Sequence, residues 1–111
     1  VRIEDLTDKQ LDYFCAIAKG WKKLYEEEWH SLENGYELDC ENYRPTTDAE
    51  QCMDIQECEK ISVIFVRNNV LATIERDDKK CENAIGTTAK RAIIACFVKS
   101  ELGEEVDCET V

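Results

Sequence analysis

The chain is short of the residues that most catalytic chemistry needs. Its 111 residues include one histidine, His30, one proline, Pro45, one methionine and four glycines. With a single imidazole, the nucleophile and base pairings open to an enzyme shrink to almost none. His30 has Glu26 and Glu27 one helical turn before it, the setting of a solvated surface pair. No glycine-rich loop is present to cradle a phosphate, and the residues around Asp77 lack the alternating oxygen ligands and central glycine of a calcium loop. The expectation is a protein that is not an enzyme, with no catalytic residue and no cofactor. No stretch of 18 apolar residues occurs, so no transmembrane helix is expected. There is no N-x-S/T sequon either.

Positive charge is the second scarcity. Fourteen Lys and Arg stand against 25 Asp and Glu, a net charge of −11. Phosphate-rich partners are disfavoured, so neither nucleic acid nor an anionic membrane is expected as a partner. A surface of this sign speeds encounter with a basic protein surface, or simply keeps the protein soluble.

Cysteine, by contrast, is plentiful: Cys15, Cys40, Cys52, Cys58, Cys81, Cys96 and Cys108. Metal ligation is a poor account of them, because the closest pair, Cys52 and Cys58, has five residues between and only one histidine exists to complete a zinc set. No metal site is expected. Such density is usual in small exported domains held by disulfides, and a chain opening at Val1 rather than Met is read here as processed, which together predict a secreted, extracellular protein. Seven is odd, so one cysteine is left as a buried thiol, a reactive thiol or half of a bridge joining a disulfide-linked homodimer.

The periodicity predicts helices. Thr7-Asp8-Lys9-Gln10 has the form of a capping box, with Leu6 and Leu11 placed as a hydrophobic staple. Leu11, Phe14, Ala18, Trp21, Tyr25, Trp29 and Leu32 recur at steps of three and four, predicting one helix over 8–33 that ends at Asn34-Gly35, with Gly20 as a kink or close contact. Thr47 and Glu50 form a second capping box, opening a helix that carries Cys52 and Ile55 and runs on to Leu71. The alternative for that stretch is a hairpin at 62–74, since Ser62–Val66 and Val70–Ile74 are rich in β-branched residues around Arg67-Asn68-Asn69. From Asp77-Asp78 a further helical face runs to Leu102 and Gly103, with Gly86-Thr87-Thr88 as a break that divides it in two.

These observations predict one domain over 1–111, an all-α, disulfide-stapled bundle of about four helices, with an α+β fold as the alternative. Trp21, Tyr25 and Trp29 share one face of the first helix and are the candidate binding residues, or else its core seam. The function expected is that of an extracellular effector or inhibitor that binds a partner protein with a basic surface. The alternative is a carrier holding a small hydrophobic ligand, of lipid or odorant type, in a helical cavity walled by Ile64, Phe65, Ile93 and Phe97.

Overall fold

The computed structural model describes residues 1–20, 22–25, 28–30, 37–39, 43–74 and 82–106. These form a 3-10 turn (Ile3–Asp5), helix α1 (Asp8–Ala18), strands β1 (Lys22–Tyr25), β2 (Glu28–His30) and β3 (Glu37–Asp39), helix α2 (Ala49–Glu59), strands β4 (Ile61–Val66), β5 (Asn69–Ile74) and β6 (Glu82–Gly86), and helix α3 (Ala89–Leu102). The fold is α+β, which corrects the all-α bundle. The hairpin alternative at 62–74 is the conformation adopted.

Each departure from the helical expectation has a local cause. The first helix begins as expected: Gln10 N–H donates to Thr7 Oγ1, Thr7 N–H donates to Gln10 Oε1, and Leu6 and Leu11 are both buried. It stops after Ala18 instead of running to residue 33. Gly20, with φ of 84°, takes the left-handed conformation that closes helices, and its N–H reaches the Ile17 carbonyl at 2.9 Å. The chain then turns into β1–β2–β3, an antiparallel sheet in which Lys23 faces Trp29 and Trp29 faces Leu38. Helix α2 is capped by Asp48, whose carboxylate accepts from Gln51 N–H at 3.0 Å, one residue later than the predicted Thr47 cap. It ends at Lys60, which is left-handed at φ 55°. Beyond it, Ile61–Val66 is dominated by β-branched and aromatic side chains that lose rotamer freedom in a helix and pack well on a pleated surface.

The second sheet has order β4–β5–β6, all antiparallel, and β4 joins β5 through the two-residue loop Arg67-Asn68. Helix α3 lies across one face of this sheet. Ala92 to Val98 are seven consecutive buried residues, as expected for a helix covered on every side. The sheet covers one side of α3, α1 and α2 cover others, and the 3-10 turn closes a further part. Gly86 permits the closest approach: a Cβ there would lie 2.8 Å from the Ala92 nitrogen. The break foreseen at Gly86-Thr87-Thr88 is therefore a strand-to-helix junction, with Thr88 Oγ1 accepting from Arg91 N–H. Gly103 closes α3, as expected.

Candidate functional site

The two edges of the β4–β5–β6 sheet are treated differently, and the register shows how. In a hairpin with a two-residue loop, the pair flanking the loop exchanges hydrogen bonds, and bonded and non-bonded pairs then alternate. Val66 faces Asn69, so Val66, Ile64 and Ser62 turn their backbone groups toward β5, while Val63 and Phe65 turn theirs outward. Carried across to β6, the same alternation turns the backbone of Asn83 and Ile85 outward on the opposite edge. The hydrogen bonds there agree. Ile85 N–H donates to Glu4 Oε2 at 3.0 Å, and Lys99 Nζ donates to the Asn83 carbonyl at 3.1 Å.

Edge β6 is thus closed by side chains. Glu4 and Lys99 also pair with each other at 3.4 Å, so together they supply the acceptor and donor that a neighbouring strand would bring. Burial, the largest single influence on Glu4, pushes its carboxyl up, but the Ile85 N–H and the Lys99 ammonium outweigh it and hold it below the usual carboxylate range. Arg91 anchors the same segment by donating to the Leu6 carbonyl and pairing with Asp8 at 2.6 Å.

Edge β4 has no such plug among the described residues. At its start the Ile61 carbonyl accepts from Gln56 Nε2 at 3.2 Å, and beyond that the backbone of Val63 and Phe65 faces outward without a described partner. Its surroundings are apolar. On the face away from α3, Ile64, Leu71 and Ile85 stand in one cross-strand row, with Val66 beside it, and Ile64, Val66 and Ile85 are exposed. Phe65 belongs by alternation to the α3 face, yet it is 73% exposed. The reason is that α3 lies over β6 and β5 and least over β4, so β4 overhangs the core. Burial therefore alternates cleanly along β5 and fails along β4. Natural sheets generally blunt such an edge with charge, proline or a covering loop, and the six residues Ile61–Val66 carry neither charge nor proline.

Of the aromatic residues singled out from sequence, the two described lie on strands instead of a helix. Tyr25 falls in β1 and Trp29 in β2, on paired strands, and Trp21 lies outside the described residues, so the helical spacing that aligned the three does not apply. Ile93 and Phe97 are core residues of α3, whereas Ile64 and Phe65 are exposed on the sheet, so these four do not wall one cavity. A cleft of about 190 Å³ does open beside Phe97, lined by Ala18, Lys19, Asp54, Ile55, Cys58 and Glu59, with Lys19 and Asp54 paired at 3.6 Å. The sequence marks Val63, Val66 and Arg67 only as parts of the alternative hairpin, not as site residues, and does not mark Lys60. The available signal is an uncharged six-residue run, four of them β-branched, between two cations in a chain that is 35% charged.

The described cysteines are thiols and form no disulfide, which corrects the stapled scaffold. Cys15, Cys52 and Cys96 are buried, Cys58 is exposed, and Cys40, Cys81 and Cys108 lie outside the described residues. The buried three serve as small core side chains on α1, α2 and α3. Burial pushes the Cys15 thiol up to about 12, against a lowering contact with the Tyr43 hydroxyl at 3.4 Å, and pushes Cys52 up to about 11. Nearby, Asp12 is buried, and its two carboxylate oxygens accept from Thr46 N–H at 2.9 Å and Thr46 Oγ1 at 3.0 Å. This fastens the loop before α2 to α1. Desolvation raises the Asp12 carboxyl to about 6 despite those two hydrogen bonds. Such thiols are poor nucleophiles at neutral pH, and these groups hold structure together.

No curated protein matches the sequence. A family described as bacteriophage P22 NinX matches residues 2–101. Together with thiols where cross-links were expected, this match overturns the secreted effector or inhibitor and the odorant-type carrier. The chain belongs to the bacteriophage P22 NinX family.

Proposed function

We propose that this NinX-family chain is a binding module without catalytic activity, working in a phage setting by accepting an extended segment of a partner protein along edge β4. The observation that carries the reading is the contrast between the two edges of one sheet. The Glu4–Lys99 pair occupies the hydrogen-bonding groups of β6, while the outward groups of Val63 and Phe65 on β4 have no described partner. Strand addition supplies main-chain hydrogen bonds at such an edge, and the alternating side chains supply selectivity. Ile64, Val66 and Phe65 add apolar surface on both faces of β4, so an incoming strand gains burial on either side.

The test rests on where each amide points. Val63→Pro removes an outward N–H and leaves the ladder to β5 intact, whereas Ile64→Pro removes a ladder bond. Peptides of about ten residues are selected from a random displayed library on the immobilised wild-type chain. The expectation is that selected peptides shift the Val63 and Phe65 amide resonances and lose binding to Val63→Pro, in which the β5 and β6 amide resonances stay native although Val63 packs partly against the core. Failure to select any peptide would overturn the reading. So would selected peptides that leave both amides unmoved.

A further inference from the structure

The ends of β4 carry a feature that strand addition alone does not require. Lys60 and Arg67 are the two residues immediately outside the strand, and among the described residues they are the two non-glycine positions with positive φ, at 55° and 54°. Glycine or asparagine takes that conformation at less cost, at a helix end as in the first position of a tight hairpin loop. A long cation in each place is therefore kept against the local backbone preference, and strain of this sort points to use of the side chain. Both residues are exposed, and neither enters an ion pair with a described residue. On a chain of net charge −11, two cations without a described ion-pair partner bracket the open edge of the β4–β5–β6 sheet.

Resting on the strand-addition reading, we infer that the partner segment is an apolar strand flanked by acidic residues, one read by Lys60 and the other by Arg67. The spacing follows from strand geometry. Seven residue steps at roughly 3.3 Å each separate the two cations by about 23 Å, so the partner's acidic residues sit about seven positions apart around a core of about six. The core is apolar on both faces, because β4 offers Ile64 and Val66 on one and Phe65 on the other. A second copy of this chain fits less well. Antiparallel pairing of two β4 strands would set Lys60 of each near Arg67 of the other at both ends, placing like cations together.

Two synthetic peptides test the inference, each with a six-residue core of alternating valine and isoleucine, one flanked by glutamate and the other by lysine. The acid-flanked peptide is expected to bind the wild-type chain about tenfold more tightly at low salt, with the gap narrowing at 0.5 M salt (~4 Å screening length). The preference reverses in the double variant Lys60→Glu/Arg67→Glu. In Lys60→Gly/Arg67→Gly it disappears without any fall in melting temperature, because glycine relieves the positive φ. Equal binding of both peptides to the wild type, with Val63 and Phe65 amides still shifted, would overturn the acidic-partner inference and leave strand addition standing. Binding of neither peptide would overturn both. A reversible dimer in sedimentation that Val63→Pro abolishes would overturn the inference by giving the edge to a second copy.

Discussion

Asp12 and Glu4 are both partly or fully removed from water, yet their carboxyls move in opposite directions, and the sign of each sets a different pH response. Asp12 is raised from 3.8 to about 6, chiefly by desolvation that its two Thr46 hydrogen bonds do not offset. Its folded form binds a proton more readily than its unfolded form, so its contribution is complete below about pH 4 and is lost as pH rises through about 6. Asn at this position keeps an acceptor for Thr46 N–H and offers a donor to Thr46 Oγ1. Asp12→Asn is therefore expected to remove a decline of order 2 kcal/mol between pH 4 and pH 6, read from urea unfolding at several pH values. Glu4 is lowered below 4.5, so the stability it contributes is present above that value and falls away as pH drops through its folded pKa. Gly86 is the other position where one residue decides. A methyl group would meet the Ala92 backbone at 2.8 Å, and backbone cannot rotate aside, so Gly86→Ala should cost about 1–3 kcal/mol in the same measurement.

At the scale of elements, the sheet edges yield a paired prediction. Glu4→Ala leaves the Ile85 N–H and the Lys99 ammonium without their carboxylate, at a cost of about 1–3 kcal/mol, and exchange at the Ile85 amide should quicken. The change opens β6 while leaving β4 as it was, so hydrogen exchange at Val63 and Phe65 should not move. Legibility from sequence divides along the same elements. Helix α1 could be read at its start, because Thr7 and Gln10 make a local capping box, and α3 at its end, because Gly103 closes it. The continuation of α1 past Gly20 is suggested by Trp21, Tyr25 and Trp29 falling at helical spacing, but the positive φ of Gly20 ends the helix. Strand β4 was ambiguous for a different reason. Apolar residues fall on both of its faces because α3 covers it least, so no alternation is there to read. The candidate site was least legible of all. It is defined by which backbone groups lack partners, and that follows from register and from Glu4 meeting β6 across 81 residues of sequence.

For the whole molecule, the cysteines become reporters of a common core instead of links that bind it. Cys15, Cys52 and Cys96 stand one on each of the three described helices and belong to one buried cluster with Ile3, Leu11, Ile74 and Ile94. Their density had suggested covalent cross-links, yet a buried thiol packs as a small hydrophobe, and composition does not separate the two uses. A single core makes a specific demand on them. If α1, α2 and the sheet are held together through α3, none of the three thiols can be exposed without loss of the shared packing, and all three should become reactive in one cooperative step. Pulsed alkylation along a denaturant series, with peptide mass mapping, reads each site separately. Cys58 should be labelled in the native protein, and Cys15, Cys52 and Cys96 should be labelled together with one midpoint and one slope. Earlier labelling of Cys52 alone would show α2 leaving before the rest, and would divide the molecule into separable units with α1, α3 and the sheet as the more durable part.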